Sequence, residues 1–214
     1  MGKNENDENE QWERCDKIMT SDVEWKTGEM TLKDYLALPE DRRVELIDGV
    51  FYDMASGTNV HGDIAEEIHA RFREFIKKNG GKCKAKIMAT DVQLDCDDKT
   101  IVVPDVYVVC DKKKLTIQRT VGAPDLVVEV LSPSNWKVDV FKKREKYERA
   151  GVREYWLVFP KQKKVRVHYF EKGETKEYTF ADKVPVGIWN GRCEVDFAEI
   201  DAEIRRWFET EEML

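Results

Sequence analysis

The chain has 214 residues, 41% of them hydrophobic and 10% aromatic, which suffices for one α/β domain with a sheet covered on both faces. Its longest apolar runs, 100–109 and 123–130, are broken by Pro and Asp and fall short of the roughly 18 residues a membrane span needs, and its polar, acidic start is unlike a secretory signal, so a cytoplasmic protein with no membrane partner is expected. The net charge of -7 speaks against a nucleic-acid partner until it is divided: residues 1–24 carry -5 and residues 199–214 carry -4, which leaves +2 for the chain between them.

Residues 1–24 read as an acidic flexible tail, 25–200 as one folded domain and 201–214 as an acidic C-terminal helix or tail. Within the domain, 31–38 is a short helix stopped by Pro39, and 43–48 with 50–54 is a hairpin turning at Asp48-Gly49. Asn59 is positioned to cap a helix running to about Lys78, whose inner stripe is Ile64, Ile68, Phe72 and Phe75 and whose stop is Gly80-Gly81. Three β-rich segments follow, 84–94, 100–109 and 123–131, the last two apolar enough to lie mid-sheet. Residues 136–153 carry seven bases against three acids, a candidate phosphate-facing helix or else an ordinary solvated surface. After Gly151 come a buried strand, 154–159, and a more polar hairpin, 165–170 with 176–180, which offers a surface for a homodimer. A closing helix is expected over about 197–208. The five cysteines, Cys15, Cys83, Cys96, Cys110 and Cys193, form no CxxC pair; reduced, mostly buried thiols are expected, and no zinc site.

Two acids stand inside the apolar segments: Asp105 in IVVPDVYVV and Glu129 in DLVVEVL. Alternation places Asp105 with Val103 and Tyr107, and Glu129 with Val127 and Leu131. An ionised carboxylate in such surroundings costs several kcal/mol unless a cation or strong hydrogen bonds compensate it. Acids at strand ends, or paired with arginine, are the structural alternative. Taken as a pair on adjacent strands they call for a cation, and an all-oxygen donor set favours Mg²⁺ or Mn²⁺, the usual apparatus of phosphoryl chemistry. On the basic helix, with Val140 at the centre of the apolar face, Tyr147 lies about 20°, Arg144 about 40° and Lys143 about 60° away, while Lys142 and Lys146 point elsewhere. Lys143 is the lysine placed to reach Glu129, with Arg144 a geometric rival. No P-loop, β-lactamase or HExxH pattern is present.

Together, ELIDG (45–49), His61, PDV (104–106), PDLVVEVLSPS (124–134), Asp139, Lys143, Tyr147 and GVREYWLV (151–158) resemble the Uma-two family, restriction-endonuclease-like proteins of the PD-(D/E)xK superfamily. The resemblance covers roughly residues 30–200. It implies a restriction-endonuclease-like α/β fold, a central mixed β-sheet flanked by helices, and a Mg²⁺-dependent deoxyribonuclease that hydrolyses DNA through a metal-activated water. Asp105, Glu129 and Glu45 would bind the metal, with the Val130 carbonyl, and Asp105, Glu129 and Lys143 would be catalytic. The superfamily's lysine normally follows the acid by two residues, where this chain has Leu131; the resemblance places it at Lys143 instead. That broken motif keeps open a catalytically degenerate relative, one that binds nucleic acid or a protein partner without cleavage.

Overall fold

The structure, a computed structural model, describes residues 27–39, 41–88, 90–94, 97–132 and 138–208. The expected tail over 1–24, Cys15, Cys96 and the start of the basic helix lie outside those residues. Thr31 opens α1 (Leu32–Leu36), its N–H and hydroxyl both donating to the Asp34 carboxylate. The hairpin β1 (Val44–Ile47) and β2 (Val50–Asp53) turns through Asp48 and Gly49, both at positive φ (52° and 72°), the two-residue geometry that matches strand twist. Gly28 donates its N–H to the Asp48 carbonyl, and the backbones approach so closely that a Cβ on Gly49 would run into the Gly28 carbonyl. The N-cap of α2 (Asn59–Lys78) is Thr58, one residue earlier than expected: its hydroxyl accepts from the His61 N–H, and Asn59 is already helical.

The segments 84–94 and 100–109 are not single strands. The first divides into β3 (Lys84–Ile87) and β4 (Val92–Gln93), the second into β5 (Ile101–Val102) and β6 (Val106–Val109). Pro104 has no N–H to give a ladder, so the second segment breaks there and crosses from one sheet to another. Asp105 therefore sits in the crossing, not in a regular alternation with Val103 and Tyr107. Beyond it lie β7 (Thr120–Val121) and β8 (Leu126–Val130). The basic segment is π-helical over Val138–Lys143 and α-helical in α3 (Arg144–Ala150), stopped by Gly151 at φ 92°. The chain closes with β9 (Glu154–Phe159), β10 (Lys164–Tyr169), β11 (Glu174–Thr179), β12 (Lys183–Pro185), β13 (Glu194–Asp196) and α4 (Phe197–Trp207).

Among the described residues the central sheet has six strands in the order β11-β10-β9-β8-β6-β3, antiparallel except for the parallel β8–β9 pair that π-helix and α3 connect. One face packs Val106, Val108, Val128 and Trp156 on Ile64, Ile68 and Phe72 of α2 and Ile200 of α4. The other packs Tyr107, Val127, Leu131 and Leu157 on Val140, Tyr147 and the smaller sheet, β2-β1-β5-β4-β7, through Ile47, Val92 and Val102. This is the α/β architecture, a mixed sheet flanked by helices, that the apolar runs imply. The thiol expectation needs correction. The β3–β6 register pairs Lys84 with Val109, which brings Cys83 and Cys110 opposite each other, and they form a disulfide; Cys193 is a buried free thiol. No helix among the described residues is long and apolar enough to cross a membrane.

His168 on β10 is buried, bonded through Nδ1 to Thr175 Oγ1 at 2.8 Å and stacked on Tyr155 and Phe170. Burial, with the charges of Arg144 and Arg166, holds its pKa down at about 3 against an ordinary 6.5. The unfolded chain therefore takes up a proton that the native imidazole refuses, so this group's stabilisation is present above pH 6.5 and is lost as the pH falls toward about 3. His168→Phe is expected to flatten the dependence of melting temperature on pH across that window; an unaltered slope contradicts the assignment. Gly173 has open space around it, so Gly173→Ala meets only the positive-φ penalty, about 1–2 kcal/mol or several degrees of melting temperature. Gly49→Ala adds a backbone collision and is expected to lower the melting temperature at least twice as far.

Candidate active site

The sheet crossing builds one wall of the site. The Val103 N–H, which would face a ladder in an unbroken strand, donates to Glu45 Oε1 on β1 at 2.8 Å. Two residues on, Asp105 Oδ2 accepts the Val130 N–H from the end of β8 at 2.7 Å and lies 3.1 Å from His61 Nε2. Asp105 thus bridges the splayed ends of β6 and β8. Thr58 capping starts α2 so that His61, in its first turn, faces this carboxylate. Burial disfavours the imidazolium, but the hydrogen bond and charge of Asp105 and a bond to the Val130 carbonyl prevail and raise its pKa above 6.5.

Glu129 on β8 points to the face that Tyr147 covers, and its Oε1 receives the Tyr147 hydroxyl at 2.8 Å and Lys143 Nζ at 3.2 Å. The same ammonium lies 2.9 Å from Glu45 Oε2 and 2.9 Å from Asp139 Oδ1. Lys143 is only 5% exposed. Burial works against its charge, yet Asp139, Glu129 and Glu45 outweigh burial and lift its pKa well above 10.5. Burial drives the Glu129 carboxyl well above its ordinary range against the pull of Lys143, and likewise brings Asp139 up to about 6. Four carboxylates, Glu45, Asp105, Glu129 and Asp139, thus share a pocket of about 90 Å³ with His61 and the single ammonium of Lys143.

Glu154 is the internal control for a buried strand acid. It too is almost fully buried, but its oxygens take Trp156 Nε1–H at 2.7 Å and the N–H groups of Gly187 and Ile188 at 3.0 and 2.8 Å. Hydrogen bonds satisfy Glu154 without a cation; Glu129 has a lysine and a phenol.

All four residues expected at the site, Glu45, Asp105, Glu129 and Lys143, meet at this pocket. Asp139 and Tyr147 contribute bonds to which sequence reasoning gave no role; the signal for Asp139 was its i,i+4 spacing from Lys143. Lys142 and Lys146 point away from Glu129, as the 100° wheel has them, but the side they face is covered by the β1–β2 hairpin. Lys142 is buried against Asp48 Oδ2 (3.3 Å) and the Tyr52 hydroxyl (3.2 Å), and Lys146 against Asp48 and Asp97 (2.9 Å). These lysines staple the hairpin turn to the helix, so Lys142 and Lys146 face carboxylates of the fold and not solvent. Arg144 is no rival for the acids: it lies over the Phe170 ring and pairs with Glu148 at 3.4 Å.

The donor chemistry of the pocket, carboxylates in excess of cations, fits a hard divalent ion. As arranged around the ammonium, however, no three His, Cys, Asp or Glu side chains among the described residues stand as a ready ligand set.

Comparison with known proteins agrees with the fold. A family model, Uma2, described as "Putative restriction endonuclease", matches residues 32–187. The protein slr1290 of Synechocystis, described as uncharacterized, is 31% identical over 121 residues; the match spans 56% of this chain and 57% of that protein's length. The crystal structure titled a putative nuclease belonging to DUF820, from Anabaena variabilis, aligns with a TM-score of 0.69 at 21% identity over 81% of this chain and 98% of its own.

Removing the ammonium would leave three carboxylates buried together. Lys143→Met is expected to destabilise the fold by about 3–5 kcal/mol, on the order of 10 °C in melting temperature, and Glu129→Gln in the same chain to restore part of that loss. Equal melting of Lys143→Met and the parent would contradict the buried ion network.

Proposed function

The chain belongs to the Uma2 family, and on that premise we propose that it is a metal-dependent nuclease hydrolysing phosphodiester bonds of DNA. The observation that carries this reading is the convergence of Glu45, Asp105, Glu129 and Asp139, drawn from four separate parts of the fold, around one small pocket with a single lysine. Asp105, Glu129 and Glu45 would hold Mg²⁺ or Mn²⁺. Such an ion supplies Lewis acidity toward phosphorus and lowers the pKa of water. The chain's own groups do the rest. The Val130 N–H and His61 fix the orientation of Asp105, and the Tyr147 hydroxyl fixes that of Glu129. With these acids engaged elsewhere, the Lys143 ammonium is the donor placed to orient a nucleophile and to stabilise charge on a phosphoryl oxygen.

A second reading, a nuclease-fold protein that binds nucleic acid or a protein without cutting, is favoured by the lysine's occupation of the acids in place of a ready ligand set. Plasmid incubated with Mn²⁺ separates the two. Nicking by the parent chain, lost by at least a hundredfold in Asp105→Ala and in Lys143→Met, is expected; nicking that persists in Asp105→Ala, or is absent from the parent, rejects the enzyme. Independently of turnover, Mn²⁺ at about 100 times its Kd is expected to stabilise the parent by about 2.7 kcal/mol in thermal melts and Asp105→Ala far less.

A further inference from the structure

On the reading of a DNA-directed nuclease, we propose that the groove beside the acid pocket holds the flanking stretch of the nucleic-acid strand, with Arg43 as its phosphate contact. A groove of about 450 Å³ opens between α1 and the β1–β2 hairpin, walled by Tyr35, Arg42, Arg43 and Asp91 together with Met54 and Val103. Met54 and Val103 also line the acid pocket, so the two depressions adjoin. The Met54 N–H donates to the Arg43 carbonyl at 3.0 Å, which extends the hairpin pairing to Arg43 and fixes its backbone. Arg43 stands one residue before β1 and two before Glu45, so in extended backbone the two positions are roughly 6.6 Å apart, about one phosphate step of a nucleic-acid strand.

The charges single out Arg43. Lys142, Lys143 and Lys146 are turned inward to carboxylates, and Arg42 is paired with Asp53 at 3.0 Å. Arg43 is exposed and makes no ion pair among the described residues. Asp91, the groove's acid, is engaged by the Tyr35 phenol; burial and that negative neighbour raise the phenol's pKa, so it remains a protonated donor. A guanidinium at the rim can take two phosphate oxygens at once, which suits it to hold a strand in register with the acids.

The test is fluorescence anisotropy of a short labelled DNA duplex over a series of salt concentrations, with the full chain, Arg43→Ala and, as a control, Arg149→Ala on the exposed side of α3. Loss of one phosphate contact is expected to weaken Arg43→Ala binding about tenfold at low salt and to reduce the slope of log K against log salt by about 0.9. Arg149→Ala is expected to bind like the parent, and all three chains to melt alike. Parental affinity and slope in Arg43→Ala would overturn the groove assignment and leave the nuclease reading standing. Failure of the parent chain to bind the duplex at all would overturn both.

Discussion

A lysine only 5% exposed, with three carboxylates around it, is the constraint on which the rest of this molecule depends. Lys143 joins β1 through Glu45, β8 through Glu129 and its own helix through Asp139. Desolvating each of these ions is unfavourable by several kcal/mol, and the arrangement persists because all of them are desolvated together within contact distance. The hairpin, the central strand and the helix are thereby held in one relative position, and Tyr147 adds a neutral donor where a further charge would be too many.

The neighbouring elements serve that position. Lys142 and Lys146 fasten the Asp48-Gly49 turn to the same helix, so the hairpin that carries Glu45 is anchored at its tip as well as at Glu45 itself. Pro104 ends one ladder and starts the crossing that delivers Asp105 to the end of β8. The opposite face of the central sheet is occupied by α2, whose first turn brings His61 over the edge to Asp105. Each of these devices is local, and all converge on one pocket, which distinguishes the site from Glu154, a buried acid satisfied entirely within its own corner of the fold.

The chemistry follows from that surplus of negative charge. A pocket with four carboxylates, one ammonium and one imidazole sits on a chain of the Uma2 family, with a fold shared with the Anabaena structure. The lysine comes from the helix after the acid-bearing strand, not from the strand itself. A side chain on the strand two residues after Glu129 would be Leu131, which packs in the apolar layer with Val127 and Val140. The helix offers a stem long enough to cross that layer and end among the acids.

Much was legible in the sequence. Apolar runs determined the central strands, Asp48-Gly49 determined the hairpin turn, and acids inside apolar segments marked Asp105 and Glu129, because burial of a charge is costly enough to leave a signature in composition. What only the tertiary structure decided depends on contacts between distant segments. The break at Pro104 had two outcomes, a bulge or a change of sheet, and packing chose the second. The β1–β2 hairpin covers the side of the helix that carries Lys142 and Lys146, so charge that reads as a surface stripe is turned inward. The Cys83–Cys110 bond required the β3–β6 register. Local periodicity fixes which residues must be buried; which charge neutralises which is settled only when segments far apart in the chain close on one another.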